Sequence, residues 1–434
     1  MSKETQKIVI VGGGFAGLSA AKSLGGDSRF EVLLLDRRNY HLFQPLLYQV
    51  ATSGLNPSDI AHPIRTTLSK YKNVKVRLAN VTRVDSQAKQ VECDFGRVSY
   101  DTLILACGAT HSYFGNESWE EFAPGLKTIS QAIEIRRRLL LAFEKANNID
   151  DLTEKRRLLT FAVVGAGPTG VELAGAVCEL SRHTLINDFE NISREDIRVI
   201  LVEGSSRVLG TFHESLSAQA LKDLKKMGAE VILNTHVTRV DASGVMLGEQ
   251  AMPAATVVWA AGVEPAPINK TVTEKLDNKR LIVDQYCQVL DSDDIFAIGD
   301  QACFRTVQGN ALPGLAPVAL QQGRYVAKFL QKSASGQQPK PFRYMDKGAM
   351  ATIGRNKAVL EAFGIRLYGL PAWVAWLAVH IIYLIGFRNR LLVILQWIWG
   401  YFTFSKGERL IINRDWRLSR DKRPYSEYEQ GRKE

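Results

Sequence analysis

The chain has 434 residues, of which 46% are hydrophobic and 23% charged, a globular composition that excludes disordered, collagen-like and disulfide-scaffold classes and leaves room for two or three domains. Lys and Arg number 55 against 45 Asp and Glu, a formal balance of +10 that suits a nucleic acid, a nucleotide or an anionic membrane surface without choosing among them. The five cysteines, Cys93, Cys107, Cys178, Cys287 and Cys303, form no CxxC pair and no Cys/His cluster, which argues against a disulfide framework, a structural zinc and a dithiol redox centre.

The first element in chain order is KIVIVGGGFAG at 7–17, an apolar run of strand length, then Gly12-x-Gly14-x-x-Gly17, then a helical stretch from Leu18 to Leu24. In a dinucleotide site each glycine has a physical reason. Gly12 makes the tight turn, Gly14 admits a pyrophosphate against the backbone, Gly17 lets the helix pack on the strand, and the helix N-terminus offers free N–H groups to the phosphates. The run before the glycines is four residues, too short for a signal-peptide core, so the protein is expected in the cytoplasm or on its membrane face. VLLLD then places Asp36 at the end of the next strand, where a carboxylate accepts the ribose hydroxyls of an adenosine. DTLILACGAT (101–110) reads as a buried strand ending in a glycine turn at Gly108.

The plan then repeats. TFAVVGAGPTG at 160–170 carries Gly165-x-Gly167-x-x-Gly170 and leads into a second helical run, Val171 to Leu180. VILVE places Glu203 on its next strand, and the longer gap is filled by a polar insert, roughly His183 to Arg198, read as an extended crossover helix plus turn. ATVVWAAGVEP (255–265) repeats the strand and glycine turn, at Gly262. Gly12 and Gly165 lie 153 positions apart and Gly108 and Gly262 lie 154 apart, so the halves keep register and two dinucleotides are expected. DDIFAIGDQAC (293–303) is a further apolar strand, ending in Gly299-Asp300, that returns the chain to the first domain.

Together these segments resemble the two-dinucleotide-binding flavoprotein family, in which the first site holds FAD and the second NAD(P)H. Within it the likeness narrows to the type II NADH:quinone oxidoreductases, single-subunit and non-pumping. HLFQPLLYQVATSGL (41–55) looks like the segment beside the isoalloxazine ring, GVELAG (170–175) like the stretch whose glutamate, here Glu172, lies between nicotinamide and flavin, and APVALQQGRYVAK (316–328) like the helix start bordering flavin and quinone. The resemblance implies cofactor contacts at Gly12, Gly14, Gly17, Asp36, Gln44, Ala109 and Asp300 for FAD and at Gly165, Gly167, Gly170, Glu203 and Gly262 for NADH, with no metal. It implies Glu172, Gln321 and Gln322 as catalytic candidates. One departure stands out: the family pattern A-Q-x-A-x-Q has Pro317 in place of its first glutamine, which removes an amide from the implied quinone site.

The fold so implied is α/β, with two Rossmann-like domains. FAD would occupy 1–120 and 276–340, NADH 121–275, and 341–434 would associate with a membrane. The implied activity is oxidation of NADH through FAD with two-electron reduction of a membrane quinone, without ion pumping, on the cytoplasmic face of the membrane. The implied partners are that quinone and the lipid surface, with a homodimer open and no nucleic acid. Two rivals stay open: a sulfide:quinone oxidoreductase, which needs a cysteine pair at the flavin, and a non-catalytic NADH-binding flavoprotein.

In the C-terminal region, 367–387 and 391–405 contain no Lys, Arg, Asp or Glu, and they hold Trp373, Trp376, Trp397 and Trp399, a residue type that favours the membrane–water interface. Helices are expected near 371–385 and 391–404. Fifteen helical residues span about 22 Å, short of the ~30 Å hydrocarbon core. The expectation is therefore two helices lying in the interface, with Arg388 and Arg390 in the turn between them at lipid phosphates.

Overall fold

The computed structural model describes residues 5–403 and 407–412, so residues 404–405 of the second apolar run, the first four residues and the tail beyond 412 lie outside the described residues. Short apolar strands alternating with helices dictate parallel sheets, because a parallel neighbour is reached only through a crossover. The first sheet has the order Ile295–Ala297, Thr102–Leu105, Gln6–Val11, Phe30–Asp36, Val74–Leu78, all parallel. The second repeats it without the outermost strand: Thr256–Trp259, Thr160–Val164, Arg198–Val202, Ala229–Ile232. In both, the strand ending in the glycine motif lies between the strand ending in the acid and the strand ending in the glycine turn. The winding reverses beside it, which leaves a crevice at the carboxyl ends of the strands.

The repeat runs deeper than the glycines. A three-stranded antiparallel sheet follows each crossover, Val81–Asp85, Gln90–Cys93 and Gly96–Ser99 in the first half, Val237–Asp241, Gly244–Leu247 and Gln250–Pro253 in the second. Both open on the pentapeptide VTRVD, and both ladders slip register just after its valine, at Val81 and at Val237. The halves are stitched by an antiparallel ribbon, Ala109–His111 against Val263–Pro265, each strand of which follows its own glycine turn. The insert after the second helix, Pro168–Glu179, is a π-helical turn, Leu180–Thr184, and a 3-10 turn, Leu185–Asn187, before an irregular return to Arg198.

One buried cluster fills the first sheet and its helices, including Ile8, Ile10, Leu34, Leu105 and Phe296. A second joins the long helix Ile129–Asn147 to the second sheet and to the C-terminal region, through Phe143, Phe161, Val171 and Trp376. The C-terminal region begins with an antiparallel sheet, Ala349–Gly354, Lys357–Ala362 and Ile365–Tyr368, laid on the helix Pro168–Glu179. Gly175 permits the contact, because a Cβ there would stand 1.7 Å from the carbonyl oxygen of Ile353.

Two helices follow, Leu370–Tyr383 and Phe387–Thr403. The expected turn at Arg388–Arg390 is instead the first turn of the second helix. Asn389 is buried there and donates to the carbonyls of Ser58 and Asp59, while Arg390 donates to the carbonyls of Leu384 and Ile382 and so closes the end of the first helix. Its guanidinium is committed to the protein, because free carbonyls at a helix end need donors. Ala372, Trp376, His380 and Val393 face inward, whereas Val374, Ile382, Phe387, Leu391, Leu395, Ile398 and Phe402 form an exposed apolar face. Of the four tryptophans only Trp399 lies broadly open, and Trp376 is buried. No described helix is long and apolar enough to cross a membrane.

Replacing Gly175 with Ala forces the Ile353 backbone outward, and overpacking of a tight contact costs ~1–3 kcal/mol. Calorimetry of the FAD-saturated variant should show an unfolding midpoint several degrees lower. An unchanged midpoint would mean the C-terminal sheet is not seated on this helix.

Candidate active site

Gly12 and Gly165 both hold left-handed φ, +104° and +100°, at the end of their strands. A Cβ on Gly17 would meet the carbonyl oxygen of Gly12 at 1.9 Å, and one on Gly170 that of Gly165 at 1.8 Å, so neither helix could approach its strand with a larger residue. A Cβ on Gly14 or Gly167 would instead meet nothing within 4 Å. These two glycines are also the helix N-caps, and neither helix end is closed by a side chain. Open space over uncapped N–H groups, twice, fits two pyrophosphates.

The acids are placed identically. Asp36 accepts from the N–H of Gly13 at 2.5 Å and of Arg38 at 2.7 Å. Glu203 accepts from the N–H of Ala166 at 2.6 Å and of Ser205 at 2.9 Å. Each carboxylate thus ties the middle of its glycine turn to its own strand end. Burial raises the Asp36 carboxyl above its ordinary range, although both backbone donors favour the ion. Arg207, four residues after Glu203, donates to the carbonyl of Gly210.

Asp300 sits on a short 3-10 turn, Gly299–Gln301, and the turn is held by both neighbours. Gln322, buried in the helix Ala316–Ser333, accepts from the N–H of Gly299 at 2.7 Å, and Gln301 accepts from the N–H of Cys107 at 2.7 Å. Gln321 is exchanged with the backbone of Met345, donating to its carbonyl and accepting from its N–H. Both glutamines are therefore engaged by backbone, and neither lines the cavity that holds Glu172. Gln44 opens the 3-10 turn Gln44–Leu46, and Ala109 and Gly262 lie at the interdomain ribbon.

That cavity, of about 160 Å³, is bounded by the helix Pro168–Glu179 on one side and the C-terminal helices on the other. Glu172, Glu179, Tyr48, Gln49, Trp376 and Trp397 line it. Burial pushes the Glu172 carboxyl up to about 8, opposed by the N–H of Thr352 and the Trp376 indole. Glu179 accepts from the N–H of Arg355 at 2.6 Å. The Trp397 indole donates to Gln49 at 2.8 Å, and Gln49 donates to the Tyr48 hydroxyl at 2.9 Å, so a tryptophan read as an interfacial anchor instead terminates a hydrogen-bond chain inside the protein. Burial, then the Glu172 and Glu179 carboxylates, drive the Tyr48 hydroxyl well above the usual phenol range. His380 stacks on Trp376 at 4.0 Å and donates from Nδ1 to the Trp376 carbonyl, and burial lowers it to about 4. Tyr48 and Gln49 fall within 41–55 and Trp376 within the apolar run 367–387, but only the packing of the C-terminal helices brings them together.

None of the five cysteines lines the cavity and none is paired. Burial pushes Cys107 and Cys178 each up to about 12, so neither is a thiolate at neutral pH. The cysteine pair that sulfide oxidation demands is not assembled there.

Two uncapped dinucleotide cradles on repeated sheets, meeting across a short ribbon, define a two-nucleotide oxidoreductase. Residues 6–323 match the model of the pyridine nucleotide-disulphide oxidoreductase family. The chain is 41% identical over 424 residues, 93% of this chain and 89% of the relative, to the type II NADH:quinone oxidoreductase NdhA of Mycobacterium tuberculosis. Among solved structures it is similar to NDH2 from Plasmodium falciparum in complex with NADH, with a TM-score of 0.86 at 21% identity, covering 94% of this chain and all of that one. The sulfide:quinone oxidoreductase of Aquifex aeolicus shares the fold at a TM-score of 0.71 and 19% identity, over 92% of this chain and 96% of that one. The chain belongs to the pyridine nucleotide-disulphide oxidoreductases and, within them, to the type II NADH:quinone oxidoreductases.

Because folding raises the Glu172 carboxyl from its ordinary value to about 8, the folded protein holds a proton there that the unfolded chain has already released. Stability from this group is therefore lost as pH rises from the ordinary carboxylate range toward 8. Glu172→Gln should flatten that decline in the melting temperature of the FAD-saturated protein. A parallel decline in both proteins would remove Glu172 as its source.

Glu203→Gln removes the charge facing a 2′-phosphate, so the NADH-over-NADPH ratio in kcat/KM should fall by about tenfold, ~1.4 kcal/mol. An unchanged ratio would show that Glu203 only holds the Ala166 turn.

Proposed function

We propose that this protein oxidises NADH through a non-covalently bound FAD and passes two electrons to a quinone in the membrane. The observation that carries this reading is the pairing of two uncapped cradles, each with its own acid at the strand end, with a cavity walled on one side by helices whose outer face is apolar. FAD supplies the hydride acceptor and the two-electron donor. Asp36 and the Gly12–Gly17 turn hold its adenosine and pyrophosphate, and Asp300, on its braced turn, meets the ribityl region. Glu203 and the Gly165–Gly170 turn hold NADH. Gln322 keeps the Asp300 turn in place rather than touching quinone, which is consistent with its bond to Gly299.

Glu172, protonated at neutral pH, supplies a proton toward the quinone oxygen, and the net reaction, NADH plus quinone plus one proton giving NAD⁺ and quinol, needs one from solvent. The acceptor enters past Trp376 and Trp397 from the lipid side. Residues 1–120 and 276–340 form the FAD domain, 121–275 the NADH domain, and 341–434 the membrane-associating part. The protein sits peripherally on the membrane face that NADH reaches, its exposed Val374, Ile382, Leu391, Leu395 and Phe402 among the acyl chains.

Each such side chain contributes ~1.5–3 kcal/mol when fully buried. A Leu395→Glu, Phe402→Glu variant should therefore stay in solution rather than sediment with phospholipid vesicles, lose turnover with a long-chain quinone, and keep turnover with a short soluble one. Loss with both quinones, with FAD retained, would mean these helices complete the active site rather than dock it. Full vesicle binding would contradict the proposed membrane face.

A further inference from the structure

One buried hydroxyl is unused by this account. Tyr48 lies on the short helix Leu47–Ala51, among the buried Leu46, Leu47 and Val50, and its ring meets that of Trp376 edge-on at 6.4 Å. Only 7% of it is exposed, and it lines the cavity that holds Glu172. The bonds around it have a fixed direction. The Trp397 indole is a donor only, so the atom of Gln49 that meets it at 2.8 Å must be the amide oxygen, and the amide nitrogen therefore faces Tyr48 at 2.9 Å. An amide nitrogen donates and does not accept. The phenol oxygen is thus the acceptor in that bond, and its own proton is left to point elsewhere.

Among the described residues that proton meets no acceptor within hydrogen-bond distance. Burial, and then the Glu172 and Glu179 carboxylates acting through space, keep the hydroxyl protonated well above the usual phenol range. An enclosed donor of this kind is costly without an acceptor. The same wall holds a second such atom: the amide oxygen of Gln396, one residue before Trp397, is buried with no partner among the described residues. The cavity therefore suits a polar occupant rather than a bare acyl chain. A quinone fits the donor side of that wall, because its two carbonyl oxygens accept and it has no proton to donate. Reduction loads negative charge onto those oxygens, so a hydrogen bond fixed there strengthens as the electrons arrive.

We propose that the Tyr48 hydroxyl is the hydrogen-bond donor that holds a quinone carbonyl oxygen in this cavity, and that Gln49 and Trp397 are positioning residues that keep its proton turned there. This rests on quinone entering the cavity, and it adds to the proton supplied by Glu172 a contact that fixes where the carbonyl stands. Tyr48 gives up no proton and forms no covalent bond. Trp397 belongs to the second C-terminal helix, Phe387–Thr403, so the direction of the donor is set by the seating of that helix.

The test is a stopped-flow comparison in which the full-length, FAD-loaded protein is reduced anaerobically with NADH and then mixed either with menadione, a quinone without a long tail, or with ferricyanide, which takes electrons and has no carbonyl to hold. Tyr48→Phe is expected to slow flavin reoxidation by menadione about tenfold, the worth of one buried hydrogen bond, while reoxidation by ferricyanide keeps its rate. Gln49→Met, which frees the phenol to turn, should give a smaller loss with menadione. Adding it to Tyr48→Phe should cost nothing further, because the amide acts only through the hydroxyl. Reoxidation by menadione at the wild-type rate in Tyr48→Phe would overturn the inference, as would equal slowing with both acceptors, which marks a structural role. Additive losses in the double variant would overturn the positioning assigned to Gln49. Should Tyr48→Phe not retain FAD, Gln49→Met alone carries the test: slowing confined to menadione supports the assignment, and no slowing contradicts it. Failure of the underlying reading looks different, because menadione would then not reoxidise the flavin of the wild-type protein.

Discussion

The helix Pro168–Glu179 is constrained from three sides, and the rest of the molecule follows from how it meets them. Its N-terminus must stay uncapped and open at Gly167 to receive a pyrophosphate. Its flank must be bare at Gly175, because the carbonyl of Ile353 presses where a side chain would be. Its remaining face carries Glu172 and Glu179, seven residues and about 10 Å apart along the helix, into the cavity under the C-terminal helices. A dinucleotide site, a sheet contact and an acid-lined cavity therefore share one rigid rod, and displacement of any one is felt by the others.

The same arrangement decides the electrostatics. Glu172 receives a weak backbone donor at 3.4 Å from Thr352 and the field of the Trp376 indole, both of which favour the ion, yet burial outweighs them and keeps the proton on. Trp376 and Thr352 come from the C-terminal region, so the group proposed as the proton donor is dried by the part of the chain proposed to meet lipid. Arg355 extends that coupling. Its N–H bonds Glu179, while its guanidinium donates to the carbonyls of Gly400 and Tyr401 at the end of the second C-terminal helix. The cavity wall at Glu179 and the end of the second C-terminal helix are mechanically linked through these few bonds.

The two nucleotide halves were legible because their determinants are local. A glycine that must turn, a glycine that must stay open and an acid at the next strand end are separated by short, fixed distances, and the structure repeats them down to the bulge after Val81 and Val237. The cavity was not legible in the same way, since Tyr48, Trp376 and Trp397 are brought together over more than 300 residues of chain. Gln321 and Gln322 show the limit of a motif. Their neighbourhood matches a quinone-side helix, but their amides are taken up by Met345 and Gly299, bonds that no spacing announces. Arg390 is similar: a basic residue between apolar runs reads as a lipid contact until the free carbonyls of Leu384 and Ile382 are seen to require it.

The central claim is that electrons cross from one cradle to the other and leave through the Glu172 cavity. It is tested most directly by mixing the FAD-loaded protein anaerobically with one equivalent of NADH, following the oxidised-flavin absorbance, and then adding a short-chain quinone. The account predicts that the absorbance is bleached by NADH and restored by quinone within the time of a turnover, with NAD⁺ and quinol formed in equal amounts. Flavin that stays oxidised with NADH bound, or that is bleached and not restored by quinone, would contradict it.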